Sequence, residues 1–248
     1  MRYFLEFAYN GTRYNGYQEQ PNGTTVQGVI EDALATLLRV PTKIVGCGRT
    51  DAGVHALQYF AHFDTEATIP KHFVYRLNSI LGKDIVVYRV LLVADDAHAR
   101  FDATSRSYQY VINFVRNPFE QETAFYCRYG KDLDLEKMQT AAQLLLEYTD
   151  FTTFCKSKTD TKTKLCTLRR SEWHYDASKQ QLVYYVTANR FLRGMIRLIV
   201  GMCLNVGKGA VALEIVQQAL DEQKTLAKAL SAPAEGLFLM DICYDYID

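Results

Sequence analysis

One carboxylate in this chain occupies a run of residues that a plain turn would not require. Cys47-Gly48-Arg49-Thr50-Asp51-Ala52-Gly53-Val54-His55-Ala56 sets one guanidinium, one hydroxyl and one carboxylate between two glycines. Gly48 and Gly53 can take positive φ and let another chain or a ligand approach the backbone closely. A carboxylate there can add covalently to a substrate and depart again, as in glycosidases. An aspartate close before a glycine is also ordinary turn chemistry, and on spacing alone that plainer reading carries more weight. A sugar-hydrolysing site calls for a second carboxylate, and none accompanies Asp51 nearby in sequence. His55 reads as loop architecture rather than a general base, and Arg39, Lys43 and Arg89 read as ordinary solvated charges.

Other chemistries find little support. The six cysteines form no CxxC pair and the five histidines no HxH or HxxxH set. That argues against a zinc site or a disulfide scaffold, suits a reducing cytoplasm, and leaves no metal and no cofactor to expect. Glu6 interrupts what would have to be the apolar part of a signal peptide. The most membrane-like stretch, 191–206, is broken by Arg193 and Arg197 and is shorter than the roughly 20 apolar residues of a span. It reads as a buried helix with a functional edge. Formal net charge is zero, yet residues 151–200 hold ten Lys/Arg against three acids. Nucleic-acid binding needs such a local positive surface rather than a basic total, although a solvated basic face fits the charge equally well.

The elements that must position these residues come in two similar sets. With 248 residues, 48% hydrophobic and 23% charged, the chain has material for one large globular domain or two small ones. Residues 2–9 alternate as a strand, a Gly- and Asn-rich loop follows, and Thr24 with Gln27 resembles a capping box for a helix ending before Pro41. Strands are expected at 43–47 and 57–63, a helix at 71–81 and a strand at 84–93. The order recurs as a strand at 106–114, a helix at 135–147, strands at 164–175 and 181–187, helices at 191–205 and 213–220, and a strand at 237–246. The reading is an α+β protein of two ferredoxin-like βαββαβ halves with antiparallel sheets. The first half spans 1–99 and carries the loop 46–56. The second spans 100–248, with a Lys/Thr-rich insertion at 156–164.

The decapeptide around Asp51 closely resembles the signature of the tRNA pseudouridine synthase A family, whose catalytic aspartate lies in GRTDAGVH. Tyr9-Asn10-Gly11-Thr12-Arg13-Tyr14-Asn15-Gly16-Tyr17-Gln18 resembles the family's opening segment. Ala99-Arg100-Phe101-Asp102-Ala103-Thr104 with Tyr108-Gln109-Tyr110, Asp150-Phe151-Thr152-Thr153-Phe154, the run 189–197 and Glu235-Gly236-Leu237 resemble its later motifs in order. Asn10 stands where aspartate is usual and Tyr17 where tryptophan is common, which bears on the contact surface more than on the reaction.

The resemblance implies a cytoplasmic isomerase that turns uridine into pseudouridine in the anticodon arm of tRNA, at positions 38 to 40, and that works as a homodimer. It implies Asp51 as the catalytic carboxylate, Arg197 as the guanidinium paired with it, and Tyr108 as the platform on which the extruded base stacks. Arg197 is then expected against Asp51, with the two halves enclosing one catalytic cleft. Arg49 would serve the flipped nucleotide, and Arg13, Arg100, Arg193, Lys156 and Lys158 the RNA. A tandem RNA-recognition protein without catalysis would share the two halves, but no RNP1-like run is present and such a binder has no use for the Asp51 loop.

Overall fold

A computed structural model describes residues 1–155 and 163–247. It is an α+β protein with five α-helices among those residues. The chain divides into two compact units, one of Met1–Thr104 with Phe238–Asp248 and the other of Ser105–Leu237. The last strand, expected with the second set of elements, is thus grouped almost wholly with the first.

In the first unit β1 (Arg2–Tyr9) lies antiparallel between β4 (Ile85–Val93) and β3 (His55–Asp64). The other edge of β3 takes the short β2 (Val45–Gly46) antiparallel and β9 (Leu237–Cys243) parallel. The parallel pair departs from the all-antiparallel expectation. Alternation along β1 does not separate core from solvent, because Phe4 to Phe7 are all buried. Phe4 packs edge-on to Tyr244 of the C-terminal segment. Glu6 is buried too, ion-paired with Arg89 and accepting from Gln58 Nε2 at 2.8 Å. Arg89 is therefore no plain solvated charge: a buried carboxylate costs free energy unless paired and hydrogen-bonded.

Helix α1 (Val26–Leu38) buries Val26, Ile30, Ala33 and Leu34 at helical spacing. Its N-cap is Thr25, whose hydroxyl accepts from Gly28 N at 3.2 Å, one residue later than the capping-box reading. Arg39 ends the helix in the left-handed region. Lys43 is not an independent charge either, since it bonds Glu19 and the buried Glu31. Glu31 also takes Ile44 N at 3.0 Å, which draws residues 43–44 towards the helix and leaves β2 two residues long.

Helix α2 (Phe73–Ile80) contacts β4. Asn78 donates to Val87 O and accepts from Val87 N, both at 2.8 Å. One side-chain amide thereby satisfies both polar backbone groups of a residue on the edge strand.

The second unit has β5 (Ser105–Asn113), β8 (Gln181–Ala188) and β7 (Leu168–Asp176) in antiparallel succession, with β6 (Phe125–Tyr126) parallel to β5. Helix α3 (Leu135–Leu144) contacts β7, α4 (Met195–Gly207) and α5 (Leu213–Asp221). Helix α4 is buried on most of its surface. It starts four residues later than its apolar pattern predicts, because Gly194 takes φ 72° ahead of it.

Asn78→Ala removes both bonds to β4 and leaves a backbone pair without its partner. A loss of about 1–3 kcal/mol is expected, read as a lowered midpoint in urea unfolding with an unchanged slope.

Candidate active site

In the first unit the Asp51 loop runs from β2 to β3 and is tied at Cys47, Gly48, Thr50, Asp51 and Val54. Cys47 N donates to Phe60 O at 2.8 Å. Gly48 O accepts the Tyr59 hydroxyl at 2.5 Å. The Thr50 and Tyr9 hydroxyls hydrogen-bond each other at 2.8 Å, and Thr50 O accepts from Tyr17 N at 3.3 Å. Val54 N closes a turn onto Asp51 O at 3.2 Å. Beyond it, buried His55 accepts Gly11 N on Nδ1 at 3.1 Å and stacks on Phe238 at 4.6 Å. Its place is architectural.

Between these ties Asp51 is half-buried and Arg49 exposed. Of the two glycines, Gly53 takes positive φ, at 78°. Gly48 does not, and a Cβ there would meet nothing within 4 Å.

The opening segment forms the wall behind this loop. Gly16 has φ 85°, and a Cβ on it would stand 2.6 Å from Thr50 O. Tyr17, read from sequence as bearing on the contact surface, is buried and stacks on Tyr59 at 4.4 Å. Burial pushes both phenols well above their ordinary range, so Tyr59 keeps the proton it donates to Gly48.

The remaining expected residues are distributed over both units. Arg13, Arg49, Asp51 and Arg100 belong to the first; Tyr108, Arg193 and Arg197 belong to the second. Arg13 is exposed, 3.7 Å from Asp84. Arg100 is exposed with its guanidinium 5.6 Å from the ring centroid of Phe101, itself 74% exposed. Tyr108, half-buried on β5 opposite Val186, meets Phe191 edge-on at 5.2 Å. Tyr110 is fully buried and donates to Pro233 O at 2.8 Å.

Arg197 lies in the first turn of α4. Its Nε donates to Ala232 O at 2.6 Å, and its carbonyl accepts Ala232 N at 2.9 Å. That two-way tie fixes the plane of a guanidinium able to grip a carboxylate by two parallel bonds. Arg193 precedes the helix and is exposed. Lys156 and Lys158 lie outside the described residues. Among the described residues no group of three or more His, Cys, Asp or Glu could hold a metal, and no helix is long and apolar enough to cross a membrane.

Sequence reasoning did not single out Tyr9 and Tyr59, which hold the Asp51 loop in the first unit, or Ala232, which holds Arg197 in the second. Tyr9 lies in a motif that had been noticed; Tyr59 carries no signal beyond its place in an aromatic strand.

A family model described as tRNA pseudouridine synthase matches residues 141–245. The tRNA pseudouridine synthase A of Bacteroides fragilis is 44% identical over 246 residues, covering 98% of this chain and 96% of that protein. The Porphyromonas gingivalis enzyme of that name is 44% identical over 98% of this chain and 97% of its own length. The Bacillus subtilis one is 36% identical over 99% of this chain and all of its own. The chain belongs to the tRNA pseudouridine synthase A family.

Gly16→Ala combines an unfavourable φ with a collision against Thr50 O and is expected to cost about 2 kcal/mol or more. Gly48→Ala, with open space and an ordinary φ, is expected within about 0.5 kcal/mol of the parent. Chemical denaturation of the two variants side by side checks both.

Proposed function

We propose that this protein isomerises uridine to pseudouridine in the anticodon arm of tRNA, with Asp51 as its catalytic carboxylate. The observation that carries the reading is the intact Asp51 loop, tied by Tyr9, Tyr59 and Tyr17, in a chain alignable end to end with enzymes named for this reaction. The isomerisation breaks the N1–C1′ bond, remakes it from C5 and releases the C5 hydrogen as a proton. It needs no oxidant, no external leaving group and no energy input. A carboxylate serves each route open to it: addition to the sugar, addition to the base, or removal of a sugar proton.

In this reading Arg197 keeps the carboxylate ionised and directs it, and Tyr108 stacks the extruded ring. Arg49 serves the flipped nucleotide. Arg13, Arg100, Arg193, Lys156 and Lys158 hold the RNA backbone by charge, with affinity falling as salt rises. The order of strands in the first unit, β4-β1-β3 with β2 at the outer edge of β3, supports a ferredoxin-like half, and the second half repeats the order of elements along the chain. A homodimer in the cytoplasm completes the reading. Two copies bring together two segments rich in Lys and Arg, which answers the zero net charge, and the six cysteines are free thiols.

The test uses unmodified tRNA tritiated at uridine C5. Release of tritium by the parent is expected, with a loss on the order of a thousandfold or more in Asp51→Asn. Binding without release would make the protein an RNA-binding module, free uracil would make it a hydrolase, and equal release by both proteins would discard Asp51. Tyr59→Phe, which frees the Gly48 carbonyl, is expected to lower kcat by about 5- to 20-fold while KM for tRNA stays within twofold. Steady-state tritium release measures it.

A further inference from the structure

A second group of titratable side chains in the first unit surrounds two histidines for which the proposed chemistry has no use. His62, on β3, is 4% exposed and lies 4.7 Å from His98, the rings edge to face. Nδ1 of His62 accepts Ala99 N at 3.1 Å. Nδ1 of His98 accepts Arg100 N at 3.1 Å and Phe101 N at 3.3 Å. Three consecutive backbone N–H groups therefore end on imidazole nitrogens. The turn is closed by Asp102, whose Oδ2 accepts His98 N at 2.7 Å and the Tyr246 hydroxyl at 2.8 Å. Tyr244 donates to Ala99 O, and Arg2 of β1 donates to Ala97 O at 2.9 Å while forking onto Asp64. At the tip stand the exposed Arg100 and Phe101.

We propose that His62 and His98 are positioning residues that hold the Arg100–Phe101 tip against RNA only while both imidazoles are neutral. The proposal rests on the reading of Arg100 as an RNA contact. A ring nitrogen accepts only when it carries no proton, so both rings hold their hydrogen on Nε2 at neutral pH. A proton on Nδ1 would turn an acceptor into a donor facing another donor: the buried Ala99 N would lose its partner, and the exposed Arg100 and Phe101 N–H groups would turn to solvent and let go of the ring.

The surroundings set where this happens. Burial brings His62 down to about 4 and lowers His98 as well. Arg2 opposes protonation of both rings, His98 that of His62 and Arg100 that of His98. Asp64 favours protonation of His62, and Asp102 that of both. Asp95 and Asp96 lie just upstream, and Tyr246 faces Asp102. The sign follows. Unfolded histidines titrate near 6.5 and the folded ones lower, so the unfolded state binds more protons in that window. The arrangement is fully held above about pH 6.5 and is lost as pH falls towards 4.

The experiment measures tritium release from C5-tritiated tRNA between pH 7.5 and 5 for the parent, His98→Asn, His98→Ala and Arg100→Gln. Asparagine places Oδ1 where imidazole places Nδ1 and does not titrate. In the parent, KM for tRNA is expected to begin rising below about pH 6.5, towards a limit of about 5- to 10-fold once the rings are protonated. In His98→Asn it stays level across the range and near the parent's neutral value. In His98→Ala it is raised by a similar factor already at pH 7.5, with kcat unchanged. The same acid rise in His98→Asn as in the parent, or a parental KM in a folded His98→Ala, overturns the proposal. If His98→Ala does not fold, the comparison of His98→Asn with the parent decides alone. A parental KM in Arg100→Gln removes Arg100 as an RNA contact and this proposal with it, while tritium release still stands for the reaction.

Discussion

The phenol of Tyr59 and the carbonyl of Gly48, with the matching pair of Tyr9 and Thr50, hold the backbone from which Asp51 projects. In the proposed reaction the Asp51 carboxylate must meet a particular atom of a bound nucleoside, which requires its aim to be fixed to well under an ångström. A loop joined to two strands by its ends alone does not supply that. Here the fixing comes from tyrosines on adjacent antiparallel strands, with Phe7 opposite Tyr59 and Tyr9 opposite Ala56. Register thus decides whether the hydroxyls reach the loop, and a slip of one residue would turn both away. The packing of Phe7, Tyr9 and Tyr17 around Tyr59 and the close approach of Gly16 to Thr50 serve this one geometric demand.

The same economy governs the acids inside the first unit. Glu6 and Glu31 are buried, and each is matched by a cation from a distant part of the chain and by further donors. Such pairs add little net stability over apolar residues of the same size, but losing one partner is costly. Their effect is to specify which segments meet: β1 with β4 for Glu6, and α1 with the approach to the Asp51 loop for Glu31.

Much of the secondary structure could be read from sequence because its signals are local. Strand β1 begins and ends at the residues expected, and α1 shows its buried stripe plainly. Errors arose where a distant partner overrode a local pattern. Lys43 is solvated as read, 71% exposed, but its pairing with Glu19 and Glu31, like that of Arg89 with Glu6, was not visible because none of these carboxylates is a near neighbour in sequence. The strand at 43–47 shrank to Val45–Gly46 because Ile44 bonds Glu31. Helix α4 began late because apolar Phe191 and Leu192 lie ahead of Gly194, whose conformation no periodicity reveals. Asp51 stood out through the likeness of whole motifs rather than through spacing. Its supports did not stand out: a tyrosine in an apolar strand looks like core, and where its hydroxyl ends depends on the tertiary fold.

The amide of Asn78 has a consequence for how the protein behaves among its neighbours. Strand β4 lies at the edge of its sheet and shows Val86, Tyr88 and Leu92 to solvent. A long apolar edge of this kind is a template on which a strand of another molecule can add. By filling the hydrogen-bonding positions of Val87 from the side, Asn78 acts as a plug halfway along that template. An incoming strand could pair with the two ends of β4 but not across its middle, so the apolar side chains remain exposed without becoming a seed for aggregation.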